Sequence, residues 1–409
     1  PGHGGGAAGT MESPGKRPRT GAAAAPAPGG EETKQKPHLV LHFDVNKTII
    51  ICDPVSGMTL ELMVNSLLSE VAWGTLRGCG VDSEWTLDAR LAGPSTTPPS
   101  DQHVTFSDWV ESVRKLPRKE RKAAKSAFTD GGHPGEPLRP HFERLVAALQ
   151  LPPSARAAAA GSARTPRQLR AGRVFLLPAF FQLVRHLEEA GRSYSIVFRT
   201  FGVDLPDVAE EFNAFLEGVH PSQALPEGSS PESLAHRKLR LPECSCHMHR
   251  TAHAESLGFV CGNTKLVKIE SGFQNVMRLI EERSLKGETL AIQDCFEWWS
   301  KQGESDTSGK LLGADLSLLG TGVGRDHDKG QRFHHVFFDD NIERDRPHIV
   351  DCRDRDTGEP VPFEVSLNRF MVRSEPLLAI EDSEFFVRAL AVCEKSVMSY
   401  APPAMARGE

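Results

Sequence analysis

The chain has 409 residues and no long run of apolar ones. No hydrophobic segment approaches the roughly 18 residues that a helix needs to cross a bilayer, which argues against a membrane-spanning protein. An apolar signal-peptide core is also missing near the start of the chain. Met11 is the first methionine, and one interpretation of residues 1–10 is a fragment or a misassigned start.

The cysteines lack the dense, regular spacing of a secreted disulfide scaffold. Eight of them are scattered along the chain, so we expect reduced thiols and an intracellular location, cytoplasmic or nuclear. The basic cluster at residues 16–19 could act as a nuclear address. Such short clusters are common by chance, and we favour a solvated tail.

An overall excess of basic charge is missing as well. The formal net charge is -6, so nucleic acid is not expected as a partner. A local basic run at residues 114–125 could steer an anionic substrate, but no aromatic residue between Trp109 and Phe128 could stack on bases. We interpret this run as a solvated helix face.

Composition divides the chain into five segments. The predicted segments are a disordered tail rich in Gly, Ala and Pro (1–36), the first part of an α/β core with a flap (37–75), an insertion (76–172), the second part of the core (173–400) and a short tail (401–409). Within the insertion we expect a small helical subdomain around residues 103–150. We expect its flanks, residues 91–101 and 151–168, to be loop-like or disordered.

Apolar periodicity predicts alternating strands and helices in the two core segments. The predicted strands are 38–44, 194–198, the LAIQDCF segment, 336–338 and 348–352; the predicted helices are 60–71, stopped by Gly74, 180–187, a helix that begins at Pro206, one that includes Ile269 and Ile280, and a terminal helix around 386–393. Such alternation is typical of an α/β fold with a parallel sheet.

Residues 219–257 lie between these elements and contain the segment PECSCHMHRTAH. Thiolate and imidazole ligands suit zinc, and the segment supplies them at Cys244, Cys246, His247, His249 and His253. The two cysteines are separated by one residue, whereas paired zinc ligands are usually separated by two to four. A zinc site stays possible chemically, but we favour a polar surface loop.

Three predicted strands end in polar side chains. The apolar run HLVLHFDVNKTIII places Asp44 at the end of the first strand, the strand after Gly191 ends near Thr200, and the strand HVFF runs into Asp339 and Asp340. Ligands of open α/β sheets bind beyond the carboxyl ends of the strands. These residues are therefore candidates for one site.

In this order the features resemble the haloacid dehalogenase superfamily, over residues 38–75 and 174–395. The resemblance implies an α/β, Rossmann-like three-layer sandwich with a central, mainly parallel sheet, and a partly disordered helical insertion at a place where this superfamily carries a cap. It implies that Asp44 is the nucleophile, that Thr200 binds phosphate and that Lys310 neutralises charge, with Lys265 and Lys268 as rivals for the lysine role. Asp44, Asp339, Asp340 and the backbone carbonyl of Asn46 would hold Mg²⁺.

Asn46 departs from the pattern of this superfamily, which usually has a second aspartate two residues after the nucleophile. An amide cannot transfer protons near neutral pH, and losing one general acid-base group typically costs about 10²- to 10⁴-fold in rate. Hydrolysis of simple alkyl phosphates should be slow, and an aspartyl phosphate on Asp44 should persist.

Three interpretations follow from this departure. The chain is a phosphatase or phosphotransferase that uses leaving groups which need no proton or draws an acid from the insertion. Alternatively, it is an inactive module that binds a phosphorylated small molecule or phosphoprotein. A dehalogenase is the third interpretation and has the least support.

Overall fold

The computed structural model of the chain describes most of the residues between 36 and 401. The described ranges are 1–2, 36–51, 58–88, 90–91, 93–162, 164–252, 254–261, 265–320, 331–344 and 348–401, without the side chains of 259–261 and 265–269. The flap predicted after β1 lies mostly outside these ranges. The same is true of both predicted tails, of the basic cluster at 16–19 and of His253.

The described residues form strands and helices in alternation along much of the chain. The strands are β1 (His38–Asp44), β2 (Trp73–Arg77), β3 (Glu84–Leu87), β4 (Val104–Thr105), β5 (Tyr194–Thr200), β6 (Ser245–Arg250), β7 (Glu255–Cys261), β8 (Lys265–Ser271), β9 (Leu290–Gln293), β10 (Lys310–Ala314), β11 (Phe333–Asp339), β12 (Val350–Asp354) and β13 (Met371–Arg373). The helices are α1 (Leu60–Val71), α2 (Phe106–Asp108), α3 (Arg118–Ser126), α4 (Arg139–Ala148), α5 (Pro153–Gly161), α6 (Pro178–Glu189), α7 (Leu205–Leu216), α8 (Phe273–Leu285), α9 (Phe296–Lys301), α10 (Phe363–Ser366), α11 (Pro376–Glu381) and α12 (Phe385–Met398).

The fold is mixed α/β, with a mainly parallel central sheet as predicted. Its strand order is β13-β11-β1-β5-β9-β6-β7-β8, and every neighbouring pair from β13 to β6 is parallel. β1 and β5 are buried along their whole length, which is why β1 has a nearly continuous apolar sequence. None of the helices in the described part of the chain could cross a membrane.

Several predicted elements are confirmed. The helices α1, α6, α7 and α12 bury the apolar faces that their sequences predict. The strands β1, β5, β9, β11 and β12 also form, most of them with bounds one to three residues away from the prediction. The helix predicted to include Ile269 begins only at Phe273, because Ile269 belongs to β8.

The insertion differs from its prediction in two ways. β2, β3 and β4 form an antiparallel sheet within or beside it, and Gly74, predicted to stop a helix, lies in β2. Residues 153–161, predicted to be loop-like or disordered, form α5, which buries Ala155 and Ala159. Buried side chains of this region, including Phe128, belong to the same apolar cluster as the core, and the described residues between 37 and 401 form one compact unit.

The polar surface loop predicted for the PECSCHMHRTAH segment, within the long connection 219–257, is wrong at residues 245–250. Residues 245–250 form β6, which pairs in parallel with β9 in the central sheet. Alternate side chains of β6, including Cys246 and Met248, are buried, while His247 and His249 belong to the other face of the strand. Among the described residues, these cysteines and histidines form no group that could hold a metal ion.

Candidate active site

Three neighbouring parallel strands deliver the candidate residues to one edge of the sheet. β1 ends at Asp44, β11 on one side of it ends at Asp339, and β5 on the other side ends at Thr200. The register pairs Phe43 with Phe338, so Asp44 and Asp339 are at the same level. The parallel register is what brings together residues that are far apart in the chain.

Lys310 joins the two carboxylates. Its Nζ donates to Oδ1 of Asp44 and, at 2.8 Å, to Oδ2 of Asp339. The lysine side chain is buried and also lies 5.2 Å from the centre of the Phe201 ring. The rival lysines belong to β8, at the far edge of the sheet, and their side chains are outside the described residues. The geometry therefore places Lys310 at the site.

Two buried arginines hold the strand that carries Lys310. β10 pairs with β12 and not with the central sheet. Arg199 of β5 donates to the carbonyl of Leu311 at 3.0 Å, and Arg250 of β6 donates to the carbonyl of Gly309 at 2.5 Å. The carbonyls on both sides of Lys310 are thus tied to the central sheet.

Each of these arginines has a carboxylate partner. Arg199 donates to both oxygens of Asp294 at 2.9 and 2.6 Å, and Arg250 donates to Asp351 at 2.6 Å. A buried guanidinium needs such a partner because an unpaired buried charge is costly. The paired arginines can therefore serve as fixed anchors for β10.

The acidic side chains at the strand ends form a cluster suited to a hard cation. Among the described residues, Asp44, Asp339 and Asp340 are the group that could hold a metal ion, with one oxygen of each within 4.8 Å of the others. Mg²⁺ and Ca²⁺ prefer oxygen ligands of this kind, whereas zinc prefers sites with nitrogen or sulfur. The donor set therefore fits Mg²⁺.

The pKa values of the cluster support the same conclusion. Burial raises the pKa of Asp44 well above its usual value, although Lys310 acts in the opposite direction. Burial raises the pKa of Asp340 to about 7; Lys47 acts to lower this pKa, and the nearby carboxylates Asp339 and Glu70 act to raise it. The positive charge of Lys310 thus leaves the acidic charge incompletely balanced, and a divalent cation would complete the balance.

Thr200 and Asn46 flank the cluster with different partners. The Thr200 Oγ1 accepts from the Gly202 N–H at 2.8 Å, which leaves the hydroxyl hydrogen to be donated elsewhere. The Asn46 Nδ2 donates to Oδ2 of Asp204 at 2.9 Å. The Oδ1 of Asn46 is buried, and no hydrogen-bond donor in the described part of the chain reaches it. The structure thus directs the Asn46 amide toward Asp204.

A chain of charges links the site to the insertion. The Nζ of Lys47, three residues after Asp44, lies 3.3 Å from Oε1 of Glu70 in α1. The Nζ of Lys125 in α3 lies 3.0 Å from the same oxygen. Burial raises the pKa of Glu70, but the two lysines lower it to about 2. Lys125, assigned from the sequence to a solvated face, is therefore part of an ion-pair network, whereas most other basic residues of the run are exposed.

Three residues at or near the site were not predicted from the sequence: Asp204, Arg199 and Asp294. Asp204 precedes the apolar face of α7, where an aspartate looks like an ordinary helix cap, and the structure shows no cap bond from its side chain. Arg199 and Asp294 are separated by 95 positions, so no local pattern connects them. An arginine inside an apolar strand was the one local signal that a buried partner exists.

No family model, curated protein or solved structure matches this chain. What the site can do therefore has to follow from its own residues.

Proposed function

We propose that the chain is a Mg²⁺-dependent phosphohydrolase or phosphotransferase with a Rossmann-like, haloacid dehalogenase-like fold, which acts through an aspartyl phosphate on Asp44. The observation that carries the proposal is the bridge of Lys310 between Asp44 and Asp339. The cluster of three carboxylates provides a nucleophile in Asp44, and the buried lysine provides the positive charge that an anionic substrate requires.

Each residue has a role that follows from its position. A carboxylate oxygen of Asp44 attacks phosphorus while Lys310 offsets the charge of the phosphoryl oxygens. The Thr200 hydroxyl donates to one of those oxygens with the hydrogen that it does not need for Gly202. Asp44, Asp339, Asp340 and the Asn46 carbonyl would hold Mg²⁺, which supplies charge neutralisation and orientation of the substrate.

The experiment that tests the proposal measures phosphate release with Mg²⁺ from acetyl phosphate, phenyl phosphate and glycerol phosphate. We expect the first two to react faster, since their leaving groups need little or no protonation. Asp44→Asn should abolish release, whereas Asp356→Asn, at an exposed turn, should not change it. Equal activity of wild type and Asp44→Asn would contradict the proposal.

The metal assignment has its own test. Asp339→Asn should abolish Mg²⁺ binding measured by calorimetry, because it removes a charged oxygen ligand from the buried cluster. Asp356→Asn again serves as the control. Unchanged Mg²⁺ affinity in Asp339→Asn would refute the assignment.

One observation favours a second candidate function. Asn46 stands where a carboxylate would move protons, and an amide has no titratable proton near neutral pH. A module with this site would bind a phosphorylated small molecule or a phosphoprotein without turning it over. Saturable binding of phosphopeptides with no phosphate release from any substrate would favour this function.

A further inference from the structure

The carboxylate of Asp204 lies beside Asn46 at the carboxyl ends of β1 and β5. Asp204 is 4% exposed and immediately precedes α7, and its Oδ2 is 2.9 Å from the Asn46 Nδ2. Because Oδ2 of Asp204 accepts this hydrogen bond, the amide nitrogen of Asn46 is the end that faces Asp204. Asp204, the hydrogen-bond partner of Asn46, thus supplies the carboxylate that residue 46 lacks.

The oxygen end of the Asn46 amide lacks a hydrogen-bond partner among the described residues. The Asn46 Oδ1 is buried and has no donor within the described ranges. A buried acceptor without a partner is costly, and a water molecule would satisfy it. The amide orientation therefore provides an acceptor for a water molecule next to the carboxylate of Asp204.

Gly202 shows how close these groups are to the phosphate-binding hydroxyl. The position that a Cβ on Gly202 would occupy is 2.6 Å from Oδ2 of Asp204, 3.3 Å from Oγ1 of Thr200 and 3.6 Å from Nδ2 of Asn46. The three polar groups thus surround one point, which only a glycine leaves open. A phosphoryl group held by Thr200 would be within reach of the Asn46–Asp204 pair.

We propose that Asp204 is the proton-transfer group of this site and that Asn46 positions the attacking water for it. The inference rests on the proposed function, since it requires an aspartyl phosphate on Asp44. It changes the expectation that this adduct persists, because a carboxylate can accept the proton that Asn46 cannot. It also replaces the insertion as the source of an acid.

The proton and electron balance is complete without another reactant. In the first step an oxygen of Asp44 forms a bond to phosphorus, the bond from phosphorus to the leaving oxygen breaks, and protonated Asp204 gives its proton to that oxygen. In the second step water transfers a proton to Asp204 and forms a bond to phosphorus. The bond from phosphorus to Asp44 breaks, and its electron pair returns to the carboxylate.

The test separates formation of the adduct from its breakdown. Wild type, Asp204→Asn and the control Asp207→Asn, which alters a surface ion pair with Arg167 one turn further along α7, are phosphorylated with acetyl phosphate and Mg²⁺. After removal of the donor, the decay of the adduct is followed by intact mass. Acetyl phosphate needs no leaving-group proton, so all three proteins should form the adduct at similar rates.

Breakdown of the adduct should be about 10²- to 10⁴-fold slower in Asp204→Asn than in wild type and Asp207→Asn. An asparagine at 204 can still accept from Asn46, so a merely positional role would leave breakdown unchanged. The double variant with Asn46→Asp and Asp204→Asn keeps an amide hydrogen-bonded to a carboxylate, and it should recover most of the lost rate.

Two results overturn the inference alone, and a third overturns it together with the proposed function. If the adduct breaks down in Asp204→Asn at the same rate as in wild type, Asp204 moves no proton, and the proposed function still stands. Equal loss of formation and breakdown would assign Asp204 a structural role. No adduct on any of the folded proteins would instead defeat the proposed function and the inference together.

Discussion

At the residue scale, the positive charge of Lys310 offsets part of the negative charge of the buried aspartates. Its ammonium group donates hydrogen bonds to both Asp44 and Asp339. Burial of the lysine acts to lower its pKa, but the surrounding carboxylates, Asp339 and Asp44 before Asp294, raise the pKa above its usual value. The net shift keeps Lys310 protonated at neutral pH. Lys310 therefore stabilises the fold and the site through the same two contacts.

Lys310→Met should destabilise the protein in the absence of Mg²⁺. Removing one partner of a buried ion pair typically costs about 3 to 5 kcal/mol because the other charge stays buried. Added Mg²⁺ should restore part of this loss, and the free energy of unfolding from urea titrations measures both effects. Lys119→Met, at an exposed position of α3, is the control. Equal stability of wild type and Lys310→Met without Mg²⁺ would contradict this charge balance.

Residues whose role depends on the end of one strand were predictable from the sequence. Asp44, Thr200 and Asp339 follow apolar runs, and parallel strands bring their ends together. Asp204 was not predictable, because its role comes from a contact with a side chain 158 positions away. The same holds for Arg250 and Asp351, which are separated by 101 positions.

At the scale of the element, strands with mixed composition were the hardest to predict. β6 has histidines on one face and Cys246, Met248 and Arg250 on the other, so its period of two was obscured by its polar residues. In β2 a glycine looked like the end of a helix. Both strands are specified by their partners in the sheet and not by local propensity.

Gly74→Ala tests the contact that requires glycine in β2. A Cβ at this position would lie 2.4 Å from the backbone oxygen of Thr86 and 2.4 Å from the Trp85 ring. The strands would have to separate, so we expect the free energy of unfolding to fall by about 1 to 3 kcal/mol. Gly161→Ala, where a Cβ meets nothing within 4 Å, should have little effect. Equal stability of the two variants would show that β2 and β3 do not pack this closely.

At the scale of the whole molecule, the insertion and the core form one structural unit. One apolar cluster contains Phe128 and Leu145 from the insertion together with Phe43 and Phe180 from the core. Low sequence complexity suggested loose flanks, but alanines at helical spacing in α5 are small enough to pack closely. Composition alone could not reveal this packing because it contains no information on the partner surface.

Buried histidines should make the whole fold sensitive to acid. Burial lowers the pKa of His334 in β11 to about 4. The pKa of His38 in β1 is also lowered to about 4, mainly by burial and secondly by the nearby His335. The folded state therefore binds protons less readily than the unfolded state, whose histidines titrate near 6.5. Stability is fully present above pH 6.5 and is lost as the pH falls toward 4, by on the order of 3 kcal/mol for His334.

Urea titrations between pH 7 and pH 4 measure this loss. His334→Gln should reduce the pH dependence of the free energy of unfolding, whereas His133→Gln, at an exposed turn, should leave it unchanged. A wild-type protein whose stability rises as the pH falls from 6.5 to 4 would contradict the assigned direction.

In the proposed function, Asp44 accepts a phosphoryl group. The most direct measurement mixes the folded protein with acetyl phosphate and Mg²⁺, quenches it rapidly with acid and locates the adduct by tandem mass spectrometry. We predict one phosphoryl group on the peptide that contains Asp44 in wild type and none on that peptide in Asp44→Asn. A folded wild-type protein that carries no phosphoryl group on Asp44 at any quench time would contradict the claim.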